Sequence, residues 1–243
     1  MVAPRPPIRE IVFADTLILI KNLAKGWIIF PTGSRQLLCN INPIVGLTPM
    51  SNLINARYLL GKHPEKKQIA NLLGLTEIDQ LPTSDAEVVV ILTSTKNGVD
   101  QEILSSWQAF REGYVPVVIV VLDFDEGEVD FEDMSAILGK MLEPVVTPYL
   151  VLHADDGKAV GLINLESLQV TDYSTKVGLD RESDPEHKEL VKEFAEELKE
   201  ALVEGGWEQF VQGLIIPAIP LKLENSLGVS EIKRFLNLIP SRS

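Results

Sequence analysis

The sequence predicts an α/β protein: a three-layer, mostly parallel sheet with helices on both faces, plus a small α+β insert subdomain. Three observations carry this. Val88 to Leu92 and Val115 to Leu122 are unbroken apolar runs, as expected of strands covered on both faces. Stretches with helical spacing follow them: Ile103, Trp107 and Phe110 after the first, then Phe131, Met134, Ile137, Leu138 and Met141 after the second. Strand, helix, strand in alternation means crossover units and parallel pairing.

The elements follow in order. Met1 to Pro7 holds three prolines and reads as a loose lead-in. Ile8 to Ile20, Trp27 to Phe30 and Gln36 to Ile41 read as strands, with Pro31-Thr32-Gly33-Ser34 as a turn. Met50 to Leu60 and Pro64 to Leu73 have helical spacing, broken at Gly61-Lys62-His63-Pro64. After the alternating units, Val145 to Leu152 reads as a third buried strand. Ala159 to Leu165 and Leu168 to Tyr173 are short strands with no helix between them, so the pairing there turns antiparallel. A long acidic helix is expected over about 184–204, with Leu190, Phe194, Leu198 and Leu202 as its apolar stripe and Gly205-Gly206 as its end. Leu214 to Ile219 is a last buried strand and Val229 to Leu238 a closing helix. The expected division is 1–152 with 214–243 as the α/β domain, its first 84 residues divergent, and 153–213 as the insert subdomain.

Composition narrows the function. The chain has 243 residues, and 22 Lys+Arg against 35 Asp+Glu give a net charge of −13. That balance argues against direct nucleic-acid binding, which needs a basic face. One cysteine, Cys39, excludes a disulfide framework and a Cys-rich zinc site; its plain reading is a buried apolar thiol. No apolar run reaches the ~20 residues that span a bilayer, and the start lacks a basic-then-apolar leader. A soluble, cytoplasmic protein without a membrane partner is expected. No metal-ligand spacing is present, and none of the three histidines, His63, His153 and His187, sits in a metal or catalytic motif; each reads as a solvated surface residue. Between Asp180 and Glu204 there are ten acidic and four basic residues. The stretch reads as a solvated face or as an acidic docking surface, with Glu193, Glu196, Glu197 and Glu200 as the partner-binding candidates.

Residues 86–243 carry a resemblance. Ala86 to Asp100, Trp107-Gln108-Ala109, Val115-Pro116, Gly161-Leu162-Ile163-Asn164-Leu165, Leu214-Ile215-Ile216-Pro217, Gly228-Val229 and Leu238-Ile239-Pro240-Ser241 stand in the order and spacing of matching stretches in one family. The chain resembles the nucleotide-binding domain of elongation factor G with its insert subdomain, a translational GTPase. That resemblance implies a P-loop GTPase-like sheet and a link to protein synthesis. A ribosomal protein or another translation component is the implied partner.

The chemistry of that family is missing from the residues. The phosphate cradle G-x-x-x-x-G-K-[ST] has no complete match: Gly61-Lys62-His63, Gly139-Lys140-Met141 and Gly157-Lys158-Ala159 lack the hydroxyl and the upstream glycine, and Gly33-Ser34 lacks the lysine. The Asp-Thr-Pro-Gly-His element has only Leu47-Thr48-Pro49-Met50 in its vicinity, a chance match. Pro64 to Leu73 reads as an insertion with no family counterpart. Aligned on Val115-Pro116, the guanine-reading Asn-Lys-Met-Asp becomes Leu122-Asp123-Phe124-Asp125. Asp125 keeps the carboxylate that would accept two hydrogen bonds from guanine. Leu122 has lost the amide, and Asp123 puts an anion where a cation belongs; the plain alternative is an acidic turn after a buried strand. Ile219-Pro220-Leu221-Lys222 stands in place of the Ser-Ala loop, where a proline removes a backbone donor.

The expectation is a degenerate elongation factor G-like domain without GTP hydrolysis, a binding or scaffold module with no catalytic residue and no cofactor. The alternative is an active GTP-binding translation elongation factor domain with an unusual phosphate site, taking GTP or GDP with Mg²⁺. An enzyme of unrelated chemistry would place its cleft beyond the carboxyl ends of the parallel strands, where Ser94, Thr95, Lys96, Asp123 and Asp125 gather. Lys96 facing the two carboxylates is the polar cluster expected there.

Overall fold

The structure is a computed structural model. It describes residues 56–82, 86–174 and 178–240, without the side chains of Glu186 and His187. The strands expected before residue 50, the turn at Pro31, Cys39 and Leu47 to Met50 lie outside the described residues. The described residues belong to one compact unit, Asn52–Ser243.

Six strands form a parallel sheet: β1 (Arg57–Leu60), β2 (Thr76–Glu77), β3 (Val88–Ser94), β4 (Val117–Leu122), β5 (Val145–Val146) and β10 (Ile216–Pro220). Their order is β2-β1-β3-β4-β10-β5. β3 and β4 are central and their thirteen residues are all buried, seven in one strand and six in the other. That is why they read as continuous apolar runs. Each strand sends alternate residues to opposite faces. Val89 and Ile91 with Val117, Ile119 and Val121 pack under helices α2 (Gln101–Arg111) and α3 (Phe131–Met141). Val88, Val90 and Leu92 with Val118 and Val120 pack under α1 (Lys66–Leu73) and α7 (Val229–Leu238). Helices therefore cover both faces.

Local chemistry fixes the helix ends. Asp100 caps α2 by accepting the Glu102 N–H at 3.1 Å, and Asp130 caps α3 by accepting the Asp133 N–H at 2.8 Å. Gly74, left-handed at φ 68°, closes α1.

A second sheet of four antiparallel strands follows: β6 (Tyr149–His153), β7 (Ala159–Asn164), β8 (Gln169–Asp172) and β9 (Leu179–Glu182). Three short helices lead back: α4 (Pro185–Leu190), α5 (Lys192–Ala201) and α6 (Glu208–Val211). Val151, Ala159, Leu162 and Tyr173 of this part share one apolar cluster with β3 and β4.

Three expectations need correction, and one strand was not expected. Met50 to Leu60 is not a helix in its described part: Arg57–Leu60 is strand β1, paired with β3 from Arg57↔Val88 to Leu60↔Ile91. Pairing to a buried strand outweighs local helical spacing. Val145 to Leu152 is two strands in two sheets, because Thr147-Pro148 lies between them and a proline cannot donate to a ladder. The acidic helix is broken into α4 and α5. β9 is a strand with all four residues exposed, and its polarity hid it.

Candidate functional site

The carboxyl ends of β1, β3, β4 and β10 converge on one polar cluster. β4 ends at Leu122, and Asp123 follows with a left-handed backbone at φ 59°. This turns the Asp123 side chain back across the end of β3. Its carboxylate accepts a hydrogen bond from Ser94 Oγ, and its carbonyl accepts Thr95 Oγ1 at 2.8 Å. Lys96 Nζ stands 3.8 Å from Asp123 Oδ1 and pairs with Glu126. Those anions, Glu126 foremost, hold the Lys96 ammonium above its usual range. His63, after β1, brings Nε2 to 3.4 Å from Asp123 Oδ2 with only 9% of its side chain exposed. The sequence reading of His63 as a solvated surface residue is thereby corrected: the loop after β1 folds its ring over the strand ends.

Asp125 has a different partner. Its side chain is 8% exposed and forms an ion pair with Lys222, which follows β10. Burial pulls the Lys222 ammonium down, but the hydrogen bond and charge of Asp125 outweigh it and the net shift is upward. Glu224 adds a second anion at 3.6 Å. Leu122 and Phe124 lie in the core, each 2% exposed, and Phe124 meets Phe131 edge-on at 6.3 Å. They offer no polar group to a ligand. The structure thus brings Ser94, Thr95, Lys96 and Asp123 together, with Asp125 committed to Lys222 beside them. Glu193, Glu196, Glu197 and Glu200 are all exposed on α5, away from this cluster in sequence and in element.

One feature escaped the sequence reading. β1, the loop after it and α1 form a strand–loop–helix, the setting of a phosphate-binding loop. Laid on G-x-x-x-x-G-K-[ST] from Gly61, the pattern keeps Gly61 and Lys67, puts Lys66 on the second glycine and Gln68 on the hydroxyl residue. Pro64 to Leu73, read as an insertion, therefore supplies the helix that leaves β1. The mistaken helix over Met50 to Leu60 hid this; an apolar pair before Gly61, with lysine six residues on, was the available signal. Gly61 is needed sterically: at φ 117° an added Cβ would stand 2.6 Å from the Leu92 carbonyl oxygen.

Several of the loop's donors are spent internally. Pro64 has no N–H. The Glu65 N–H goes to His63 Nδ1 at 3.2 Å and the Lys66 N–H to the His63 carbonyl at 3.1 Å. Lys66 Nζ donates to the Ile78 carbonyl at 2.7 Å, and Lys62 pairs with Asp100 at 2.8 Å, which holds the Asp100 carboxyl below its usual range. Glu65, an anion, precedes α1 where a phosphate would meet the helix. Lys67 is exposed. No cluster of three or more metal-ligating side chains occurs among the described residues.

No protein-family model matches this chain, and no curated protein matches it. Among solved structures, a crystal structure of a protein from Thermus thermophilus superimposes with a TM-score of 0.55 at 24% identity. The match covers 64% of this chain and 27% of that one, so the chain spans well under half of that protein's length. At that identity the likeness is one of fold: the two share an α/β architecture.

Proposed function

We propose that this chain is a degenerate elongation factor G-like GTPase domain that works without nucleotide turnover, as a binding or scaffold module linked to protein synthesis. The observation that carries the reading is the Asp125–Lys222 ion pair. A carboxylate at the guanine-reading place must be free to accept two N–H groups from the base. Here a lysine from the same chain satisfies it. The amides of Glu65 and Lys66 are spent in the same way, and Glu65 repels a phosphate. The α/β fold is kept while the carboxylate at 125 and two of the loop amides are satisfied from within. A cytoplasmic setting and a protein partner, such as a ribosomal protein or another translation component, belong to this proposal. The exposed glutamates of α5 are its docking surface. No described helix is long and apolar enough to cross a membrane.

Calorimetric titration of the full chain with GDP and GTP in the presence of Mg²⁺ tests the reading. No binding heat is expected, and micromolar affinity for either nucleotide would overturn it. Retention of Gly61, Lys67 and Asp125 favours one other reading, an active GTP-binding elongation factor domain with an unusual phosphate site. Under it, GTP hydrolysis is measurable and falls in Lys67→Ala and Asp125→Ala.

A further inference from the structure

Between α3 and α5, beneath the passage from β5 to β6, lies a groove of about 280 Å³. It is separate from the strand-end cluster. Its apolar walls are Leu150 and Leu165, with Phe194 at the mouth, 42% exposed. Four polar residues line it: Glu132, Ser135, Thr147 and Glu197.

Two of them are held in ways that protein packing alone does not explain. Ser135 is 6% exposed, and its Oγ has no hydrogen-bond partner. A hydroxyl on a helix usually returns to a carbonyl of the preceding turn; this one does not. Leaving it unpaired in a buried place is costly, and few such groups survive in native structures. Glu132 gives Oε1 to the Val151 N–H at 3.0 Å, and among the described residues no cation pairs with it. Burial pushes its carboxyl above the usual range, because an uncompensated charge is unwelcome there. Glu197 adds a second, exposed carboxylate at the rim.

A half-buried carboxylate with no ion-pair partner among the described residues, a hydroxyl without a donor, a rim carboxylate and an open aromatic face make one set of complements. They match a flat cation with several N–H donors. The aromatic ring takes the face of such a cation, the two carboxylates take its charge, and the hydroxyl accepts an N–H. The volume is just below the ~300–1,000 Å³ of ligand pockets and suits a small group rather than a nucleotide.

We propose that this groove is a binding site for a guanidinium group, held by Glu132, Ser135, Glu197 and Phe194. The proposal does not rest on the reading of the strand-end cluster. The guanidinium comes either from free arginine or from an arginine side chain of a protein partner, and the two sources are separated by the probes.

The test uses the full chain and three probes followed by NMR titration: N-acetyl-arginine amide, its neutral isostere N-acetyl-citrulline amide, and the peptide acetyl-Ala-Ala-Arg-Ala-Ala-amide. At least one arginine probe is expected to shift resonances of the residues around the groove, and the citrulline probe is not. Binding of the peptide alone assigns the site to a protein partner, and binding of the amino-acid amide alone to the free compound. Ser135→Ala should weaken binding about tenfold, the loss of one hydrogen bond to a charged group. The same change should leave the unfolding midpoint of the free chain unchanged or raised, because it removes an unsatisfied hydroxyl. Glu132→Gln keeps the Val151 hydrogen bond and should abolish binding. Glu128→Gln removes an equal charge from an exposed loop and should have no effect. Absence of binding by both arginine probes overturns the proposal. So does equal binding of the citrulline probe, or equal weakening by Glu128→Gln, which would show general attraction to an acidic protein.

Discussion

At the scale of single residues, the pair Asp125–Lys222 decides most. The two side chains are 8% and 20% exposed. Removing one member leaves the other charge poorly hydrated, whereas replacing both with apolar groups removes the desolvation cost as well. Lys222→Met alone is expected to lower the unfolding free energy by about 3 kcal/mol. The double variant Lys222→Met, Asp125→Leu should recover most of that loss. Urea denaturation of the two singles and the double measures the coupling; simple additivity would show that the pair does not act as a unit. The carboxylate at 125 was legible in the sequence. Its partner was not, because Lys222 lies 97 positions away and only the pairing of β10 with β4 brings it near.

Elements show how periodicity can mislead. The stripe Leu190, Phe194, Leu198, Leu202 repeats every four residues, but a helix turns every ~3.6. Each step drifts by ~40°, so the stripe cannot stay on one face for three steps. The structure resolves the drift by breaking the helix. Leu190 is left 74% exposed, and Val191 and Leu198 go inward instead, seven residues apart and almost on one line. The core helices α3 and α7 fall on their expected spans because the sheet below them selects one face without conflict. Glu132 belongs to this scale, since it joins α3 to β6 through Val151. Its raised carboxyl has a definite sign. The proton is held more tightly in the folded chain than in the unfolded one, so this residue favours folding at low pH and costs stability as pH rises through its folded value. Asp130 nearby adds to the rise and His153 opposes it. Glu132→Gln should therefore be the more stable protein at neutral pH, and the difference should shrink as pH falls toward the ordinary carboxylate range. Denaturant midpoints of both proteins across that range check it; a gap that widens on acidification would contradict the assignment.

On the scale of the whole molecule, charge is unevenly spent. α5 carries only −2 of the net −13, four glutamates against two lysines, but Glu193, Glu196, Glu197 and Glu200 are all exposed on it. A helix turns about 100° per residue, which places these four along one side and Lys192 with Lys199 along another. Reversing the four glutamates to lysine should abolish capture of a basic translation component, and added salt should weaken capture by the unchanged chain. Capture that survives both would remove α5 from the proposed partner surface. The α/β class was readable because strands buried on both faces leave a plain apolar signature. The phosphate-loop setting after β1 was not, since it depends on β1 being recruited by β3, a long-range pairing that local spacing does not encode.

The chain leaves the main sheet after Val146 and returns at Ile216, and those two places are neighbours, with Ile216↔Val145 and Pro217↔Val146 in register. Drawing β10 into place against β4 means closing the whole excursion as a loop, at an entropic cost that grows with its length. Pairing of β6 to β9 shortens that loop only in part, because β6 and β9 are opposite edges of their sheet and residues 183–215 still separate β9 from β10. The strand that carries Lys222 to Asp125 is thus the one whose placement in the main sheet demands the longest closure among the described strands.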